Sequence, residues 1–362
     1  MRRKLFSLLV CMSVFLGMAA VCGTSAYGQC TVTLTTDKEV YAYGETVTAT
    51  LYSDTCHFLV TDYYVFDAGE GIIKTLEPHL ITSWPQQVDY YWDQTDSSGN
   101  QVPPGTYEIA DFTRQKSVTF TILGNGIFYA LSLNPTGTPE DTSWKIAELI
   151  EINLASCVST KVGETGAGLD QSQWSLDLSY GPRGILWAVN GTSKWDNLVI
   201  INTKTGAGTV VGSTGTLMEG IAFDADGFLY AADSGNNNWD NTGDKLVKID
   251  IRSLTYTVIG LTGYDIDGLA FAPDGTLYGV DSGKLLRVNK DTAEVTLIGD
   301  LGNSGFYAIT FDPEGIMYAA RLNGDIYTVD PGSAQVSFVC STGFPYMPAL
   351  EYAHGVIPFP SR

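Results

Sequence analysis

The chain has 362 residues and carries 40 acidic against 20 basic side chains, for a net charge of -20. Nucleic acid and anionic membrane surfaces need a basic footprint and are excluded as natural partners. Calcium or a cationic surface is the matching counterpart. Only three histidines occur, His57, His79 and His354, far apart in the sequence, so neither a Ser-His-Asp apparatus nor a three-histidine metal site is supported.

Residues 1–28 open with Arg2, Arg3 and Lys4, continue apolar from Leu5 to Val21 and end near the small residues Ala26 and Gly28. This is the layout of a secretory signal peptide. A membrane anchor is the alternative, with an apolar stretch near the lower limit for spanning a bilayer. Val21 before Cys22 makes a poor lipoprotein box. The protein is therefore expected to be exported, as a secreted, periplasmic or cell-surface protein. Processing removes three basic residues and no acid, so the mature chain is more acidic still, and it is not expected to be an integral membrane protein.

Four cysteines remain after processing: Cys30, Cys56, Cys157 and Cys340. In an oxidising compartment Cys30 and Cys56, which flank two neighbouring predicted strands, are expected to form a disulfide. Closing that loop contributes about 3 kcal/mol on the chain-entropy estimate. Cys157 with Cys340 is a second candidate pair, in the first and last units of the repeat described below, although their strand positions line up poorly.

Residues 29–124 read as about seven short alternating strands, among them TVTLTT, ETVTATLY, VDYYW, TYEIADF and SVTFTI, separated by clusters of Gly, Pro, Asn and Asp. That pattern predicts an immunoglobulin-like β-sandwich. Within it, Trp92-Asp93, Asp96, Gly99, Val102-Pro103, Gly105 and Tyr107 resemble the W-D-x-x-D-x-x-G-x-x-V-P-x-G-x-Y segment of bacterial immunoglobulin-like modules of the flagellar hook-capping type and of the BsuPI proteinase-inhibitor family. The resemblance implies a spacer, docking surface or adhesive tip. Asp96 to Asn100 should form a hairpin turn.

Residues 125–358 repeat, with a short tail at 359–362. An aromatic ends one apolar run, a glycine-containing turn follows, and a second aromatic comes seven residues after the first: Tyr180 with Trp187, Phe223 with Tyr230, Phe271 with Tyr278, Phe311 with Tyr318. The first members lie 43, 48 and 40 residues apart, the period of a four-stranded propeller blade. GLAFA, TLYGV, KLLRVN and EVTLIG give the four strands of the clearest unit. The ends of the region are complementary. Residues 126–166 lack an inner strand, and ALEYAHG at 349–355 is an inner strand without a unit after it, so joining them closes a ring without an exposed edge. The fold expected is all-β: the sandwich followed by a five-bladed β-propeller closed by its terminal strands, with six blades as the alternative. The A-F-x-P-D-G-x-L-Y phrase resembles the NHL, gluconolactonase and YVTN-like propellers.

Two constellations depart from the repeat. Asn190, Asp233 and Asp281 end second strands, and Glu219 and Asp267 precede inner strands, so they should share one mouth of the channel. Glu219, Asp233, Asp267 and Asp281 could offer oxygens to a hard cation such as Ca2+, and resemblance to gluconolactonase-like enzymes implies a divalent metal there. The other constellation is Trp144, Trp195 and Trp239, each among polar residues in an equivalent loop, with Asn190 and Asp240 nearby. Flat aromatics beside amides and acids suit a sugar. The packing alternative is that each Trp caps its own blade. The reading is an exported binding or scaffold protein for a glycan, a protein or a cell-envelope component. The rival is a divalent-metal-dependent hydrolase or lactonase at the channel mouth.

Overall fold

The computed structural model describes residues 31–353 apart from 42–43, 57, 59, 68, 70, 83, 125, 134–146, 170–175, 191–195, 236–242 and 303–304. Every described element is a strand except one turn of 3-10 helix at Pro182–Gly184. No described helix is long and apolar enough to cross a membrane.

The N-terminal strands form two sheets. One orders Thr33–Thr36, Val47–Ser53, Gln86–Trp92 and Leu80–Ile81; the other orders Val40–Tyr41, Ser117–Ile122, Gly105–Ala110, Tyr63–Phe66 and Ile72–Leu76. Val47–Ser53 alternates between buried and half-buried positions along its length, as a strand with one face on a core must. Residues of both sheets share that core, with Trp92 meeting Tyr107 and Phe120 edge to face at 5.3 and 6.0 Å. The Asp96 carboxylate accepts from Ser98 N and Asn100 N, which builds the hairpin turn expected there. Val40–Tyr41 and Leu80–Ile81 are two-residue strands, too short to leave an alternation in the sequence.

From residue 127 the described strands form five four-stranded sheets. Sheets 2 to 5 are meanders that start with the inner strands Leu178–Gly181, Met218–Phe223, Gly268–Phe271 and Phe306–Phe311. Sheet 1 is composite: Ile127–Ser132, Glu148–Asn153 and Val158–Glu164 take Ala349–Tyr352 as their inner strand, with Phe128 opposite Tyr352 and Leu131 opposite Ala349. The five inner strands lie side by side in order, and Ala349–Tyr352 contacts both Phe306–Phe311 and Leu178–Gly181.

The repeated aromatic phrase is the glue between sheets. The second aromatic of one sheet packs on the first aromatic of the next: Trp187 on Phe223 at 5.9 Å, Tyr230 on Phe271 at 5.4 Å, and Tyr278 on Phe311 at 5.4 Å. At the closing seam Phe128 takes an edge-to-face position between Tyr318 and Tyr352, at 4.8 and 5.0 Å. Such pairs contribute about 0.5–1.5 kcal/mol each beyond the area they bury.

The outer rim repeats as well. Before each outer strand the chain turns through five residues that begin with Asn or Asp, whose side-chain oxygen accepts a backbone N–H two or three residues on: Asn153, Asn202, Asp250, Asn289 and Asp330. The fifth residue of the turn is left-handed: Cys157, Gly206, Leu254, Ala293 and Ala334, with φ between 52 and 79°. In four seams this turn sits against a glycine in the outer strand of the preceding sheet. A methyl on Gly163 would lie 2.1 Å from Thr205 O, one on Gly212 2.4 Å from Leu254 Cδ1, and one on Gly299 2.9 Å from Ala334 Cβ; Gly260 is similarly placed, with Ala293 Cβ at 3.1 Å. Close approach of the sheets requires glycine there.

Candidate functional site

The ring of inner strands has two mouths, one at the strand starts and one at the strand ends. Between them the axis is polar. The buried Asp177 carboxylate accepts from Leu178 N and from Ile221 N on the next inner strand, both at 2.8 Å. Glu351 ties three sheets in the same way, accepting from Tyr180 N and from Thr310 Oγ1, both at 2.8 Å. Burial raises both acids, Asp177 well above the usual carboxylate range and Glu351 to about 7. Neither acid stood out in the sequence. A signal was present, because Ser179, Thr310 and Glu351 occupy the position before the aromatic where the other inner strands have Ala222 and Ala270.

The strand starts carry the acidic mouth. Carboxylate oxygens of Glu219, Asp244 and Asp265 lie within 4.8 Å of one another. Asp244 is fully buried and accepts from Ile266 N at 2.6 Å; Asp265 is exposed. Desolvation, then the charges of Asp244, Asp265 and Asp267, push Glu219 up to about 9. Desolvation likewise pushes Asp267 up to about 8, with Asp265, Asp281 and Asp244 adding to it, against the bond Asp267 accepts from Ser282 N at 2.6 Å. The cluster can share protons at neutral pH or present oxygens to a hard cation.

Of the four acids singled out in the sequence, Glu219 and Asp267 thus belong to this group. Asp233 and Asp281 serve the chain at the same mouth: Asp233 accepts from Leu217 N and Gly235 N, and Asp281 pairs with Lys284 Nζ at 2.9 Å. Asp244 and Asp265 were missed because they sit in loops outside the strand ends used for alignment. Asn190 is buried, accepting from Asn197 N and donating to Ala167 O, so it stitches two loops together. Trp144, Trp195, Trp239 and Asp240 lie outside the described residues, as do Cys30, His57 and His354. His79 packs edge-on against Tyr91 in the N-terminal sheets.

Cys157 and Cys340 are free thiols, not a disulfide. Cys157 Sγ donates to Leu154 O at 3.8 Å, Leu154 belongs to the apolar cluster that holds Cys340, and Cys157 is near enough to help raise the Cys340 thiol. Strand alignment placed them at different levels. The sheets are staggered, however, so that the turn of one sheet meets the outer strand of its neighbour.

The strand ends carry an aromatic mouth. Tyr180, Phe223, Phe271 and Phe311, one from each of sheets 2 to 5, line a single cavity of 380 Å³ together with Asp224, Asp312 and Pro273. The repeat fixes these rings at equivalent positions, so their convergence follows from ring closure. Gly181 makes room: a methyl there would lie 2.8 Å from the Phe223 ring. Asp224 is held by Phe228 N at 2.9 Å and by Lys290 Nζ at 3.8 Å. Asp312 accepts from Ile316 N and from the Tyr318 hydroxyl, and burial raises it to about 6. Each carboxylate retains lone pairs beyond these bonds. The cavity therefore offers apolar ring surface beside Asp224, while Asp312 is fully buried and held by the chain.

Residues 158–296 match the Tachylectin family. Two solved structures are similar over long stretches. One is a protein of unknown function from Bacteroides caccae, at 10% identity and a TM-score of 0.33, covering 64% of this chain and 100% of its own. The other is YCF48 bound to D1 peptide, at 11% identity and a TM-score of 0.30, covering 87% of this chain and 85% of its own. No curated protein matches.

Proposed function

We propose that residues 125–358 are a five-bladed β-propeller carried on an immunoglobulin-like module, and that the propeller is a lectin-like binding domain of an exported protein with its ligand site at the aromatic mouth. Five sheets whose inner strands lie in a ring support the blade count. Two sheets on one core, with the Tyr107 hydroxyl bonded back to Pro103 O at 2.5 Å, support the module, since a corner tyrosine of this kind is an immunoglobulin-fold hallmark.

One observation carries the binding site: four aromatic rings from four successive sheets line one cavity, with Asp224 beside them. Rings pack on the C–H faces of a pyranose while carboxylates accept from its hydroxyls. The volume falls in the range of small-ligand sites, about 300–1,000 Å³. The Tachylectin match agrees with a sugar ligand, because that family comprises β-propeller lectins and the matched segment supplies Tyr180, Phe223 and Phe271.

A glycan array followed by calorimetry tests the proposal. Phe271→Ala should weaken the best ligand at least tenfold, and Asp224→Asn should weaken it by a similar factor, each about 1.4 kcal/mol of binding free energy. An array blank for the wild-type protein, or unchanged affinity in both variants, overturns it.

A further inference from the structure

The fifth seam of the ring differs from the other four at one place. Gly163, Gly212, Gly260 and Gly299 stand opposite Leu149, Leu198, Leu246 and Leu285 in their sheets, and each faces the left-handed turn of the next sheet. In sheet 5 that register position, opposite Ile326, is Cys340. The left-handed turn residue that meets it, the counterpart of Gly206, Leu254, Ala293 and Ala334, is Cys157 of sheet 1. Cysteine thus occupies both sides of the one seam where the two ends of the repeat region come together, and nowhere among the other four seams.

We propose that Cys157 and Cys340 are an oxidative cross-linking site whose disulfide fastens the last sheet of the ring to the first. Cys340 shares one apolar cluster with Phe128, Ile152 and Leu154 of sheet 1, and Cys157 Sγ donates to Leu154 O at 3.8 Å, which brings both sulfurs to the same residue. The location gives the bond its effect. Sheet 1 is assembled from residues 127–164 and from the four-residue strand Ala349–Tyr352, so the ring opens if that short strand lets go. A bond between the outer rims holds the seam independently of that strand.

The reaction is thiol–disulfide exchange with a small disulfide such as oxidised glutathione. Cys157, the exposed partner, attacks one glutathione sulfur as its thiolate, forms a mixed disulfide and expels a glutathione thiolate. Cys340 then gives up its proton and attacks Cys157 Sγ, expelling the second. Two protein thiols are oxidised, one glutathione disulfide is reduced, and the two protons end on the two glutathione thiols. Burial raises the Cys340 thiol, so the exposed Cys157 makes the first attack and Cys340 reacts only once the mixed disulfide is held beside it.

The folded full-length chain would be incubated with oxidised glutathione, then denatured, alkylated and digested for peptide mass mapping. A Cys157–Cys340 cross-linked peptide is expected, with a rise in melting temperature of about 10 °C over the protein with both thiols reduced. Cys157→Gly, which places at this turn the residue that sheet 2 uses, should fold, melt like the reduced wild-type protein, and show no such rise on oxidation. The proposal is overturned if both cysteines are recovered separately alkylated after oxidation, or if Cys157→Gly gains as much from oxidation as the wild-type chain.

Discussion

The two mouths of the ring are built from the same inner strands and are held in opposite ways. At the strand ends, every ring that faces the cavity also packs on its own or a neighbouring sheet, as Phe271 does on Tyr230 and Phe311 on Tyr278, so cavity lining and structural contact are one set of atoms. At the strand starts, Glu219, Asp244, Asp265 and Asp267 come from sheets 3 and 4 alone and press like charges together, which burial makes more costly. One mouth has a single raised acid, Asp312. The other changes its charge near neutrality. A feature copied into every sheet is therefore read first as scaffold, and a feature confined to two sheets as something the scaffold carries at a cost.

The largest expected effect comes from breaking the scaffold side of this contrast. Tyr230 is 1% exposed and bridges to Phe271 across a seam. Tyr230→Ala should cost about 3–5 kcal/mol, the usual toll for emptying a buried aromatic site, measured by denaturant unfolding. A loss below about 1 kcal/mol would mean that the aromatic phrase is not what joins the sheets.

The difference between the mouths also explains what the sequence disclosed. Period and apolar alternation are set by backbone geometry that each sheet must satisfy anew, so the strands of sheets 2 to 5 and the pairing of Ala349–Tyr352 with the first unit were legible. The seven-residue aromatic spacing was legible too, though not its purpose, because the two rings of one phrase meet rings of neighbouring sheets and seldom each other. Asp244 and Asp265 escaped because their place at the acidic mouth depends on how two loops fold over a strand start, for which no period exists. Cys157 with Cys340 was legible as a candidate pair, although alignment by strand, which ignores the stagger between sheets, set them at different levels. Glu351 was within reach: an acid in an inner strand where other copies have Ala, Ser or Thr is a departure visible in the repeat.

A middle-sized effect concerns pH. Glu219 and Asp267 have folded-state values near 9 and 8, above the ordinary 4.5 and 3.8, so between those limits the folded protein binds more protons than the unfolded chain. Stability from these groups is full below their ordinary values, falls as pH rises through the neutral range, and levels off above about 9. Asp93, Asp96, Asp250 and Asp274 are lowered instead, chiefly by hydrogen bonds within their turns, and their support is lost as pH falls below the ordinary value of 3.8. The melting temperature should therefore peak on the acidic side of neutrality and drop by roughly 5 °C between pH 6 and pH 9. A melting temperature that rises over that interval would contradict the charge crowding at this mouth.

The smallest effect separates the mouths most cleanly. Asp265 is exposed, and its charge helps to raise both Glu219 and Asp267. Asp265→Asn removes that charge without emptying buried volume, so the protein at pH 6 should melt within about 1–2 °C of the wild-type protein, as surface substitutions ordinarily do. At pH 9 it should melt slightly higher than the wild-type protein, because the two remaining acids ionise with less repulsion. Glycan affinity at the opposite mouth should not move, since Asp265 belongs to the start of the strand and the cavity to its end. If Asp265→Asn weakened the ligand by as much as Phe271→Ala, the two mouths would be one functional unit and the contrast between them would collapse.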